Sequence, residues 1–412
     1  MAPFYFFIYA GVGVSTPFLP LWLRGLGFSY GSIGMLAAIS AITGALTQLS
    51  LGSLSDRFQR RKPFVVGACL GLAAIFAVYP RAHGFGQFAV LYALFGFCSF
   101  TANTLASAMV MDLAESDRVA RVFARTRSWG SIGFLITTTV LSIIPILGDL
   151  SRLFPSACAF NLLAALAAGL AREGTPGRNT TPVRLREGVA LLGRPGVLAL
   201  LVSGGLFWGC LQASTGSLSL LIKSLGGDRS TVSRAFLVAV VAEIPLMWVM
   251  GRLSDRIGRR PVLVLASLAL PVRLYLYSLA GAAVWVLPIQ AFHGLTFSIA
   301  AVVPMAFMSD IAPARLRASG QGLLNAVYAG ASAVGPLAAG HLSDRVGLSG
   351  MYAYLGGAAL FAACLTLIGV PETRQGTLSV QGLLPRRLRP LAGPLCRLLD
   401  GRMVTAKEPG RP

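Results

Sequence analysis

The sequence predicts an all-α membrane protein, with twelve transmembrane helices in two pseudo-symmetric six-helix bundles. Three observations carry this. The 412 residues are 55% hydrophobic and 12% charged, about half the usual charged share, which excludes both an ordinary soluble domain and a disordered chain. Twelve apolar runs approach the ~20 residues, at 1.5 Å each, that cross ~30 Å of hydrocarbon. One motif occurs twice, 199 residues apart: Gly52-Ser-Leu-Ser-Asp56-Arg57-Phe-Gln-Arg60-Arg61 and Gly251-Arg-Leu-Ser-Asp255-Arg256-Ile-Gly258-Arg259-Arg260. A period of half the chain means a duplicated domain rather than a solenoid of short units.

The runs are delimited by charged residues and by glycine or proline. In the first half they lie near residues 3–23, 30–50, 64–80, 87–109, 128–147 and 153–171. The first lacks a basic n-region and a small-residue cleavage site, so it reads as a retained helix and not a signal peptide. The second leads into the first motif copy, and the fifth is opened by Arg127-Ser-Trp129-Gly130-Ser-Ile-Gly133-Phe134. A long loop containing Gly174, Pro176, Gly177, Pro182 and Pro195 then joins the halves. The second-half runs lie near 197–222, 233–250, 262–280, 284–308, 319–340 and 349–370. The repeat register extends beyond the motif: Leu23-Arg24-Gly-Leu26-Gly27 matches Ile222-Lys223-Ser-Leu225-Gly226, and Arg118 matches Arg317. The expected organisation is a bundle over 1–172, a cytoplasmic linker over 173–196, a second bundle over 197–372 and a basic cytoplasmic tail over 373–412. In the eleventh run, Gly330, Gly335-Pro336 and Ala339-Gly340 argue for helix bending and close packing. A third partial motif copy, Gly340-His-Leu-Ser-Asp344-Arg345, reads as a turn in an outer loop.

The formal charge of +20 raises the question of nucleic acid, and the placement of the charge answers it. With both termini cytoplasmic, the inner loops and the tail hold 27 of the 35 Lys and Arg residues. That is the positive-inside pattern of a cytoplasmic-membrane protein, and it leaves nucleic acid unneeded as a partner. Six cysteines show no metal or redox spacing and read as packing residues. With three histidines, no Gly-rich phosphate loop and no nucleophile motif, the chain does not read as an enzyme. No cofactor or metal is called for, and uphill work has to come from an ion or solute gradient.

Twelve spans in two halves, with a Gly-x-x-x-Asp-Arg-x-x-Arg-Arg loop after the second span of each, resemble the major facilitator superfamily. The resemblance covers residues 1 to about 372. It implies that Gly52, Asp56, Arg57, Arg60 and Arg61, with Gly251, Asp255, Arg256, Arg259 and Arg260, form a cytoplasmic gate motif, and that the protein is a monomer. The chemistry suits such a role, because carboxylates favour helix N-termini and arginine offers a planar fork to carboxylates. A purely topological role for the four Arg-Arg residues is the alternative. The Arg127 segment resembles the lactose permease branch with its nucleoside and phenylpropionate relatives, in which the arginine binds substrate. Glu243-Ile-Pro245-Leu-Met247, Arg273, His293-Gly-Leu-Thr296-Phe297 and Arg315-Leu-Arg317-Ala-Ser-Gly320-Gln321-Gly322 continue that resemblance. It implies sugar binding and proton coupling for Glu243, Arg273 and His293. The chain departs from the branch where Thr296 stands for a proton-carrying glutamate, and where Ser214, Gln290 and the neighbourhood of Tyr328 are neutral.

An ionisable side chain inside the hydrocarbon costs ~3 kcal/mol by the lower estimates, so each one needs a partner or a water-filled cavity. Glu243 and Arg273 could form a fixed ion pair. Alternatively, Glu243 accepts substrate hydrogens or a proton while Arg127 and Arg273 supply fixed positive charge. His293 suits a proton relay, or simply a bond to a backbone carbonyl. Asp112 is a candidate partner of Arg127 and a third proton-coupling candidate. Asp310 stands almost in its place in the other half, which favours a structural end-of-helix role for both. Gln212 and Thr215 share a helical face and, with Phe134, suit a polar substrate carrying a ring. The expected function is proton-coupled uptake of a small polar organic solute, a sugar, nucleoside or aromatic acid, by alternating access. An exporter or uncoupled facilitator is the alternative on the same fold, and a non-transporting membrane sensor is the alternative of another class.

Overall fold

The computed structural model describes residues 1–58, 60–112, 119–143, 150–173, 190–194, 196–313 and 316–373. The joining segment over 174–189 and the tail from 374 onward, both singled out in the sequence, lie outside the described residues, as do the side chains of Gly52, Asp56 and Arg57.

The chain is all-helical and built as two six-span halves. The first half comprises α1 (Ala2–Ser15), α2 (Leu19–Gly25), α3 (Tyr30–Phe58), α4 (Lys62–Val78), α5 (Gly84–Asp112), α6 (Val119–Ile143) and α7 (Phe154–Leu170). Short helices α1 and α2, separated at Thr16-Pro17, make one span together, Ala2–Gly25. The second half comprises α8 (Val197–Ser224), α9 (Arg229–Ile257), α10 (Arg259–Ser278), α11 (Val286–Ile311) and α12 (Arg317–Gly369). The 53 residues of α12 contain two spans, divided at Gly347, whose φ of 74° breaks the helix. Among the described residues, ten helical segments are long and apolar enough to cross a membrane. Counting α12 twice and adding α6, whose first turns carry Arg121, Arg125 and Arg127, gives the twelve.

Part of the repeated sequence now has a physical meaning. In the first half, the Gly27 N–H donates to the Arg24 carbonyl and the Phe28 N–H to the Leu23 carbonyl. In the second, the Gly226 N–H donates to Lys223 and the Gly227 N–H to Ile222. Both are Schellman caps, and Gly27 and Gly226 supply the positive φ, 92° and 80°, that such a cap requires. The repeated Leu-Gly therefore stops the first span of each half at the same depth.

The halves meet along two seams, α3 against α12 and α6 against α9. Small residues make the first seam close: a Cβ on Gly340 would come within 3.1 Å of the Gly31 Cα. The segment predicted as a loop turn, Gly340 to Arg345, is helical and continues α12 to its kink. The reason is that it packs against the start of α3 in the other half.

Candidate functional site

Of the embedded charges, Arg127 and Glu243 sit on the two helices of one seam, and Arg273 sits on α10 inside the second half. Arg127 on α6 faces α1. Its Nη2 donates to the Tyr9 hydroxyl at 2.6 Å, and its guanidinium lies 3.9 Å from the centre of the Tyr9 ring. The Arg-x-x-Gly-x-x-Gly spacing explains the fit. A Cβ at Gly130 would stand 2.9 Å from both the Tyr9 ring and Arg127 Nη1, and one at Gly133 would strike the Phe6 backbone. The two glycines thus let α1 approach closely enough for Tyr9 to cover the guanidinium, a contact that combines a hydrogen bond with a cation–π interaction. Phe134 packs at the same helix contact, with its backbone beside Gly13.

Glu243 on α9 faces this arrangement from the other half and lies within electrostatic reach of Arg127. Among the described residues its carboxylate makes no direct ion pair or side-chain hydrogen bond, and it is half-buried. Behind it, Ser298 donates to the Glu243 carbonyl at 3.1 Å, and Gly294 of α11 packs directly on the Ala242–Glu243 backbone. Glu243 is therefore rigidly mounted, with its charged end left available.

Arg273 is fully buried and is not paired with Glu243. Its Nε donates to the Tyr277 hydroxyl at 3.2 Å, Nη1 to Thr296 Oγ1 at 3.3 Å and Nη2 to Gln290 Oε1 at 3.3 Å. Tyr277 in turn donates to Gln290. All its partners are neutral. Thr296 and Gln290, two of the departures from the permease pattern, are thus what hold this guanidinium. His293, one turn before Thr296, stacks on Phe297 with ring centres 5.5 Å apart, and its buried Nδ1 has no hydrogen-bond partner.

Trp208 on α8 stacks on Tyr328 of α12, 4.8 Å between centres and 5° from parallel, and donates to Ser332 Oγ at 2.9 Å. Of the two polar residues expected on this helix, Gln212 is half-buried, while Thr215 Oγ donates to the Leu211 carbonyl of its own helix at 2.9 Å. The structure thus brings Arg127 and Glu243 towards one another across the seam. It places Arg273, Thr296 and His293 together deeper in the second half.

Asp112 does not reach Arg127. It pairs with Arg61, as Asp310 pairs with Arg259 at 2.9 Å. Asp112 ends α5 and Arg61 precedes α4, so the two meet at the end of the bundle away from Tyr9. Asp255 adds a second carboxylate to Arg259 at 2.7 Å. Arg260 donates to the Leu367 carbonyl at 2.6 Å, whereas Arg60 and Arg256 are exposed and Gly251 is only lightly packed. Glu173 and Glu372, which the sequence reading passed over, complete these networks. Glu173 accepts from the backbone N–H groups of Arg61 and Lys62, and Glu372 from those of Arg259 and Arg260. Their 199-residue separation could have revealed them. Tyr9 and Tyr277 had no comparable mark in the sequence.

The profile of the MFS_1 like family matches residues 1–354. A maltose permease of Geobacillus stearothermophilus is 29% identical over 384 residues, covering 89% of this chain and 91% of the relative. A multidrug resistance protein, MdtG of Salmonella typhimurium, is 28% identical over 285 residues, covering 62% of this chain and 66% of the relative. Among solved structures, the nucleoside transporter NupG superposes with a TM-score of 0.79 at 15% identity, covering 89% of this chain and 97% of that one.

Proposed function

The chain belongs to the MFS_1 like family of major facilitator superfamily transporters, and we propose that it is a proton-coupled importer of a small polar organic solute, in the first instance a sugar. The observation that carries this reading is the facing of Arg127 and Glu243 across the α6–α9 seam without a direct ion pair. A carboxylate and a guanidinium held apart on opposite halves can both hydrogen-bond a polyhydroxylated solute placed between them. Moving one half against the other changes their separation, and with it the carboxylate's hold on a proton. His293 adds a titratable group behind Glu243, and Trp208, Gln212 and Phe134 supply ring-stacking and polar surface. The likeness to a maltose permease favours sugars over nucleosides and aromatic acids.

The basic ends of the helices face the cytoplasm in this reading, with both termini inside, residues 173–196 joining the halves and the Arg61 and Arg259 networks at the inner gate. Export is the second reading, favoured by the likeness to MdtG. Reconstituted vesicles with an imposed pH gradient separate the two. Uptake of a labelled sugar driven by an inward proton gradient, abolished in Glu243→Gln with exchange retained, supports symport. Sugar flux with no proton movement, or Glu243→Gln accumulation equal to that of the unaltered chain, overturns the coupling assignment. Solute-driven proton release from the vesicles supports export.

A further inference from the structure

Three hydrogen bonds between described residues cross from one half to the other, and all lie at the end opposite Arg61 and Arg259. Two belong to one side chain. Asp344 Oδ1 accepts from the Tyr30 N–H at 2.9 Å and Oδ2 from the Gly31 N–H at 2.7 Å, 314 and 313 residues away. These N–H groups open α3 and have no partner within their own helix. Ser29 Oγ accepts the Ser32 N–H at 3.1 Å, so the start of α3 is completed by a carboxylate from the other half. The third copy of the Asp-Arg motif, unexplained by the inner networks, thereby has a role.

The pseudo-symmetric seam is built differently. The start of α9 is capped from its own half, by Asp228 accepting the Thr231 N–H at 2.7 Å and the Thr231 hydroxyl at 2.6 Å. Among the described residues a neutral bond crosses between the halves there, from Ser230 Oγ to the Ser142 carbonyl at 2.5 Å. Of these three bonds between described residues, the pair accepted by Asp344 is charge-assisted.

We propose that Asp344 is the outer-gate latch: a carboxylate docked on the N-terminus of α3 that stabilises the outward-closed state and must be released each time the outer end opens. The proposal rests on the alternating-access reading above. When the seam opens, water can solvate both Asp344 and the freed N–H groups, so the net gain from docking is that of a helix cap and not that of a buried ion pair. A latch of that size biases the equilibrium without locking it, as a carrier that opens in every cycle requires.

The test uses the full chain in lipid nanodiscs without solute, with native cysteines replaced and spin labels at His83→Cys and Gly281→Cys, two exposed outer-loop positions on opposite halves. Pulsed electron spin resonance then reads the distance distribution. Asp344→Ala should raise the ratio of long to short distances about fivefold, the factor of a lost helix cap. Asp344→Asn, which keeps an oxygen but not the charge, should give a smaller rise in the same direction. Should the alanine variant fail to fold, the asparagine variant carries the test. Distributions matching the parent in the folded variants overturn the latch. Because distances are read without solute, absence of transport in vesicles counts against the functional reading alone, and unchanged distances alongside intact transport count against the latch alone.

Discussion

Glu372 does at the start of α10 what Glu173 does at the start of α4. Glu372 accepts the Arg259 and Arg260 N–H groups at 2.9 and 3.0 Å; Glu173 accepts those of Arg61 and, at 2.9 Å, of Lys62. A carboxylate here satisfies N–H groups that the helix cannot and opposes the positive end of the helix dipole. Both glutamates follow the sixth span of their half, so each cap also ties that span to the third. Glu372→Ala should destabilise the protein by on the order of 1 to 2 kcal/mol, with Glu372→Gln intermediate. Thermal unfolding in detergent checks this, and equal midpoints for Glu372→Ala and the parent would refute it.

Asp112 and Glu243, both candidates for proton coupling from sequence, are separated by their surroundings. Asp112 is paired with Arg61 at the basic end, while Glu243 has its charged end free near Arg127. Asp112→Asn should therefore leave the pH dependence of uptake unchanged in shape, whereas Glu243→Gln should remove it. Arg61→Ala and Asp112→Asn should be non-additive in stability by about 0.5 to 3 kcal/mol, as expected of residues in direct contact. An additive cycle would dissolve the pair.

The fold was readable because it obeys two periodicities, the length of a span and the 199-residue repeat. The Leu-Gly caps and the inner arginines keep that register, and Asp112 and Asp310, at the ends of α5 and α11, fall one residue short of it. What was not readable lies where the halves meet or where a partner has no motif. Asp344 touches Tyr30 across 314 residues, and no local pattern announces a contact of that range. Tyr9 was one aromatic among several in the first span, and only the space left by Gly130 and Gly133 selects it as the cover for Arg127. Gln290 and Thr296 looked like losses of function against a permease pattern, yet they are the acceptors that hold Arg273.

Those α6 glycines make a steric prediction. Gly133→Ala would drive a methyl into the Phe6 backbone, which cannot give way as a flexible side chain can, and Gly130→Ala would displace Tyr9 from Arg127. Both should lower thermal stability by about 1 to 3 kcal/mol, the range for overpacking. Gly67→Ala on α4 is the control. With nothing within 4 Å of the new methyl, it should be neutral or gain up to about 1 kcal/mol from helix propensity. Equal effects at all three positions would remove the close α1–α6 approach as the cause.

Asp228 gives a pH prediction outside the spans. Hydrogen bonds from the Thr231 hydroxyl and backbone N–H hold its carboxyl below the usual carboxylate range. With a depressed folded pKa, the stabilisation is fully present above the unfolded value, ~3.9, and is lost as pH falls through the folded value. The midpoint difference between the parent and Asp228→Ala should therefore be constant from pH 8 to about 5 and shrink only below about 4. A difference that declines between pH 8 and 6 would point to another titrating group.

Arg273 separates a structural cation from a solute-binding one. Its guanidinium is fully buried and spends its donors on Tyr277, Thr296 and Gln290, spread over α10 and α11. Lysine keeps the charge but offers a compact ammonium in place of a planar fork, and cannot reproduce three bonds in three directions. If the arginine's task is to join α10 to α11, Arg273→Lys should lose stability and Gln290→Ala should lose part of the same energy. The two should then be non-additive by about 0.5 to 3 kcal/mol, and the KM of the surviving protein should change little. If it instead meets a charged group on the solute, Arg273→Lys should fold normally and raise KM. The arrangement of three neutral acceptors around one cation predicts the first outcome, and a stable Arg273→Lys protein with a tenfold higher KM would establish the second.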